Sequence, residues 1–153
     1  MRRRREPARS CATLLLAALC CAAASAAEPV VLHQGIVHDA LYDACSDARG
    51  AVAVGAAGVV LASSDAGASW QPQPQEATTL ALLGVACTDA RRLAVGQAGT
   101  VLIDDGNGWR KVETGTEQRL LAVAMNESGL AVAVGGFGAV MLSRDRGESW
   151  EPV

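Results

Sequence analysis

The sequence has 153 residues, half of them hydrophobic and 19% charged, with a formal net charge of −3. Five of its 13 basic residues and one of its 16 acidic ones fall within positions 1–27, so residues 28–153 carry 8 basic and 15 acidic side chains, a net of −7. That acidic body excludes a general attraction to phosphate backbones or anionic membranes, and it assigns the basic cluster to targeting.

The chain opens with Arg2, Arg3, Arg4 and Arg5, followed by a largely apolar run from Cys11 to about Ala24. Ser25 and Ala27 then stand at the −3 and −1 positions of a cut before Glu28. A basic start, a short apolar stretch and small residues at the cut predict a secretory signal peptide over 1–27 and export to the periplasm or beyond. The apolar run is shorter than the ~20 residues a spanning helix needs. Cys20 follows Leu19 and Cys21 follows Cys20, a poor fit to lipoprotein processing, and the arginines lack twin-arginine surroundings. Residues 28–35 form a lead-in. His33 and His38, with Asp39 and Asp43, can be drawn as a metal site; exposed terminal residues are the simpler reading, and no metal or cofactor is expected.

From residue 36 onward one pattern occurs three times, in VAVGAAGVVLASSDAGASW (52–70), LAVGQAGTVLIDDGNGW (93–109) and VAVGGFGAVMLSRDRGESW (132–150). Gly55, Gly96 and Gly135 are 41 and 39 residues apart, and Trp70, Trp109 and Trp150 are 39 and 41 apart. A period near 40 with several short strands per period predicts an all-β β-propeller. Three blades of four antiparallel strands are expected, over 36–78, 79–118 and 119–153. The runs AVAV, LAV and AVAV lack polar alternation, which suits strands covered on both faces.

The Gly55–Gly58, Gly96–Gly99 and Gly135–Gly138 elements sit between the second and third strands of each repeat. A tight hairpin needing positive φ is the expected reason for glycine. A phosphate-cradling loop would open onto a helix N-terminus, and none follows. SSDAGASW (63–70) and SRDRGESW (143–150) share S-x-D-x-G-x-S-W. In them Asp65 and Asp145 are expected to accept turn amides, and Gly67 and Gly147 to supply a positive-φ corner. Ser63 and Ser143 tie the turn to its strand, while Trp70 and Trp150 cover the apolar side. The middle copy is two residues shorter and keeps Asp104, Gly106 and Trp109.

This motif is the Asp-box, or bacterial neuraminidase repeat. With the preceding AVGxxGxVL it resembles the photosystem II stability/assembly-factor family of propellers over about residues 40–153. The resemblance implies a non-enzymatic chaperone-like protein that binds a protein partner during assembly or maintenance of a membrane complex, photosynthesis being the setting of the photosynthetic members. It also implies a closed ring of about seven blades. Three blades, with the chain ending three residues after Trp150, leave three expectations: a fragment, a ring of several copies, or an open wedge completed by a partner.

The Asp-box is shared with sialidases, so the alternative is a fragment of a sialidase-like glycoside hydrolase. That chemistry needs three converging arginines and a tyrosine–glutamate pair. Arg49, Arg91, Arg92, Arg110, Arg119, Arg144, Arg146 and the single Tyr42 show no such spacing, and no catalytic residue is expected. Cys45 and Cys87 lie at nearly matching places in repeats one and two. Export permits a disulfide between them, and two small buried strand residues are the other option.

Overall fold

The computed structural model describes residues 40–153. The signal segment 1–27, the lead-in 28–35, His33, His38 and Asp39 lie outside the described residues. Blade one contains β1 (Leu41–Asp47), β2 (Gly50–Gly55), β3 (Val60–Ser63) and β4 (Gln71–Pro72). Blade two contains β5 (Leu82–Cys87), β6 (Arg92–Gly96), β7 (Val101–Asp104) and β8 (Trp109–Val112). Blade three contains β9 (Leu120–Met125), β10 (Ala131–Gly135), β11 (Val140–Ser143) and β12 (Glu151–Pro152). Each blade is a separate four-stranded antiparallel sheet whose strands neighbour one another in chain order. β5 packs against both β1 and β9, so the blades fan out around their first strands. The architecture is an all-β propeller that is not closed.

The cores lie between sheets. Val52, Val54 and Val60 of blade one meet Leu82, Val85, Ala94 and Leu102 of blade two. Leu93, Val95, Val101 and Ile103 on the other face of blade two meet Leu120, Ala131, Ala133 and Met141 of blade three. Consecutive residues such as Leu93 and Ala94 therefore enter different cores, which explains why these strands show no polar alternation. Each fully buried Leu or Ile contributes about 1.5–3 kcal/mol. Blade three repeats the outward pattern with Val132, Val134, Val140 and Leu142, and no described residue covers it. Val134 is 42% exposed, where its counterpart Val95 is 0% exposed.

The glycines of the GxxG elements have two different reasons, one of them not the expected one. Gly58, Gly99 and Gly138 do take positive φ, at 73°, 64° and 74°. The first glycines are extended, at φ −164°, −165° and −158°, which any residue can adopt. They are glycine because of close approach: a Cβ on Gly55, Gly96 or Gly135 would run into the carbonyl oxygen of Ala40, Ala81 or Arg119 at the start of the blade's first strand. The connection itself is a 3-10 turn, and its middle residue, Ala57, Ala98 or Phe137, sits in the left-handed region at φ 53°, 50° or 56°. Gly96→Ala is therefore expected to cost ~3 kcal/mol through backbone displacement. Gly67→Ala, at φ 87° with nothing within 4 Å of the added carbon, should cost only ~1 kcal/mol of conformational strain. Urea unfolding of the two variants checks the ordering.

Candidate functional site

The turn after the third strand of each blade carries the Asp-box. In blade one the Ser63 hydroxyl donates to Asp65 Oδ1 at 2.8 Å and accepts the Gly67 amide at 2.8 Å. Asp65 then accepts the Ser69 amide (2.9 Å) and the Ser69 hydroxyl (2.6 Å). Blade three repeats the network almost atom for atom. Ser143 donates to Asp145 at 2.7 Å and accepts from Gly147, while Asp145 accepts the Ser149 amide at 2.9 Å. Gly67 and Gly147 both have φ 87°. Trp150 donates its ring N–H to the Gly147 carbonyl at 3.0 Å and packs on the core between blades two and three.

Blade two solves the turn differently. Asp104 ends β7 and pairs in register with Arg92, as Ser143 ends β11 and pairs with Ala131. Asp104 thus stands where the serines stand, not where Asp65 and Asp145 stand. Its Oδ1 accepts the amides of Gly106 (2.9 Å) and Gly108 (3.2 Å). Its other oxygen is left to take a 3.2 Å bond from Arg49 of blade one. Trp109, in β8, packs on the core between blades one and two.

The Asp65 and Asp145 carboxyls titrate at about 2, held down first by the serine hydroxyl four residues on, then by that serine's amide and the strand serine. They are anions that each accept two serine hydroxyls and a turn amide, which suits a staple and not a proton donor. The sign of their pH effect follows. Values lowered from 3.8 to about 2 mean a contribution fully present above pH 4 and lost as pH falls through 2. The urea midpoint should fall between pH 4 and pH 2, and D65N/D145N should flatten that slope.

Sequence reasoning missed the seams between blades. Asp47 is bound by Arg92 in a two-bond fork at 2.7 and 2.8 Å, with the Asp47 side chain 1% exposed. Arg92 holds the Asp47 carboxyl below its ordinary value despite burial. Asp89 accepts the Ala48 amide at 3.0 Å. At the second seam, Arg110 and Arg91 of blade two converge on Glu148 of blade three at 2.6 and 2.7 Å, and lower its pKa in that order. A signal for the first seam was present: ACSDAR (44–49) and ACTDAR (86–91) are near copies.

Cys45 and Cys87 are joined, with Cα atoms 5.7 Å apart. Register explains how matching cysteines come to face each other. Leu41 opposes Gly55 and Leu82 opposes Gly96, a separation of 41, whereas the cysteines are 42 apart. Cys45 therefore pairs with Val52, while Cys87 lies one place further along its strand and pairs with Arg92. One residue of slip turns a side chain to the opposite face, so Cys45 points toward blade two and Cys87 back toward blade one.

Most of the described arginines, the residues a sialidase-like site would need, thus bond within the chain, four of them at seams. Of the seven among the described residues, Arg49, Arg91, Arg92, Arg110 and Arg144 bond acidic side chains of the chain itself. Tyr42 is half exposed on β1. No grouping of three or more His, Cys, Asp or Glu suited to a metal occurs among the described residues. A hollow of about 780 Å³ lies on blade one, bordered by Ser46, Ala51, Gly67 and Trp70. It is where blades two and three each receive the preceding blade.

No family model matches the chain, and no curated protein matches it. Among solved structures, YCF48 bound to a D1 peptide aligns with a TM-score of 0.65 at 18% identity, over 74% of this chain and 40% of that one. YCF48 from Cyanidioschyzon merolae aligns with a TM-score of 0.63 at 21% identity, over 74% and 37%. Both are β-propellers, and the likeness at this identity is one of fold. The chain spans about two-fifths of the length of the YCF48 chains it matches.

Proposed function

We propose that this chain is part of an exported, non-enzymatic propeller that binds a protein and serves assembly or maintenance of a membrane protein complex. The observation that carries the reading is the match of its blade fan to YCF48, a propeller whose structure holds a D1 peptide. The binding of arginines and Asp-box acids into seams and turns supports it further, since those groups are not free for chemistry. Residues 1–27 act as the signal for export, and the place of action is the periplasm or beyond. The open faces of blades one and three are completed by a longer chain, by another copy or by a partner.

Two measurements test this. Intact mass of the protein from its native cells should give a species more than twice the mass of residues 28–153, if the further blades belong to the same chain. A species matching 28–153 assigns closure to self-assembly or a partner. Affinity capture from the same cells should then recover a membrane-complex subunit whose assembled level falls when the gene is deleted. Turnover of sialosides or aryl glycosides by the purified protein, or an unchanged complex on deletion, would overturn the reading in favour of the hydrolase or of no assembly role.

A further inference from the structure

Every blade contains the same irregularity at the same place. Leu41 and Asp43 oppose Gly55 and Val54, leaving Tyr42 as an extra residue. Leu83 is the extra residue between Leu82 and Gly84, and Leu121 between Leu120 and Ala122. A bulge re-aims its side chain away from the ladder, and here all three side chains are large and apolar or aromatic. The bulges are also neighbours. A Cβ on Gly84 would lie 2.9 Å from Ala122 Cα and 3.1 Å from the Leu121 carbonyl oxygen, and Asp43 accepts the Val85 amide at 2.8 Å. Tyr42, Leu83 and Leu121 thus form one row across the first strands of three blades.

The 3-10 turns lie at the same end of the blades. The amides of Ala56, Gln97 and Gly136 donate to the carbonyls of Ala40, Ala81 and Arg119, immediately before those strands. Phe137, the one phenylalanine, occupies the left-handed position of the third turn and is 100% exposed. A bulky residue in that conformation is strained, and Phe137 gains no burial in return. Blade two, covered on both faces, serves as the internal control. Its equivalents are half-buried at Leu83 and exposed at Ala98, so covering a blade on both faces narrows this end without closing it.

Charge is divided between the two ends. Arg49, Arg91, Arg144 and Arg146 lie on the hairpins and Asp-box turns of the opposite end, Arg92 opens β6 there, and Arg110 of β8 reaches Glu148 of an Asp-box turn. The apolar end has Arg119 and Lys111, the latter paired with Glu113 at 3.7 Å, against Asp43, Glu113 and Glu117 on the strands and loops that border it. An anionic lipid surface would need cations there. We infer that the end surface built from Tyr42, Leu83, Leu121 and Phe137 is a docking face for an apolar protein segment flanked by basic residues.

The inference rests on the protein-binding reading and names its surface. The probe is a synthetic peptide with a Leu/Phe/Ala centre and two lysines at each end, titrated by fluorescence anisotropy into the protein purified from its host. A twin peptide with glutamate ends and anionic lipid vesicles are titrated alongside. L121S/F137S should weaken the lysine-flanked peptide at least tenfold, and the glutamate twin should bind at least threefold more weakly. L130S, which changes an exposed leucine of the β9–β10 hairpin at the far end, should bind as the parent does. Equal binding by L121S/F137S with an unchanged unfolding midpoint overturns the inference, as does a preference for the vesicles. If the native client is captured equally by L121S/F137S, the surface is wrong while the assembly role stands. If peptide binding depends on the patch but no native client is captured, the surface stands and the assembly role falls.

Discussion

Replacing Cys45 and Cys87 with alanine should lower the unfolding free energy by about 4 kcal/mol. That is the chain-entropy value for a closed loop of about 42 residues. Against the 5–15 kcal/mol typical of a folded domain, this is a large share. The loss should appear in urea unfolding as a lower midpoint, and dithiothreitol should reproduce it on the parent protein. The bond spans the seam between blades one and two, beside the Arg92–Asp47 fork and the shared core. A change below ~1 kcal/mol would mean that native packing alone sets this seam.

Asp47→Asn should cost about 3–5 kcal/mol, because it leaves the Arg92 guanidinium buried beside a neutral partner. The Arg92 side chain is 8% exposed and Asp47 1%, so water offers little compensation. The double variant Asp47→Leu/Arg92→Met should recover most of the loss, since neither charge then has to be desolvated. Asp47 titrates below its ordinary value chiefly through its bond from Arg92. Its contribution is therefore present above the unfolded-state value near 3.8 and lost as pH falls through the lower folded value. Asp47 and Cys45 belong to one strand and one seam, so their losses should not add. Unfolding of the two variants and their combination measures the coupling.

The repeat was legible because it is written in residues with backbone reasons. Glycines at fixed spacing, a strand serine, a turn aspartate and a closing tryptophan each mark a local constraint, and together they give blade number and strand order. Asp104 shows the limit of that legibility. Read as a letter it matches Asp65, but the shortened turn moves it to the serine position and frees an oxygen for Arg49. The seams were harder still. Arg92 and Asp47 are 45 residues apart, and nothing local says that they meet. The copied hexapeptides ACSDAR and ACTDAR came closest to a signal. Their spacing of 42 differs by one from the spacing of 41 between the glycines of the same blades, and the meaning of that difference emerges only once the strands are in register. Tyr42, Leu83 and Leu121 were hidden for the same reason, since a bulge is a property of pairing and not of composition.

The Cys45–Cys87 tie also makes the described chain mechanically unequal along its length. Pulled from its two ends, blade three can be peeled away strand by strand and contribute its full extension. The stretch between Cys45 and Cys87 cannot lengthen at all, which withholds roughly 140 Å of contour. A force trace should show that length only after a reductant is added. A processive unfoldase entering from the C-terminal end would likewise clear blade three and β6 to β8 of blade two, and then meet a loop that it must draw in as a doubled strand.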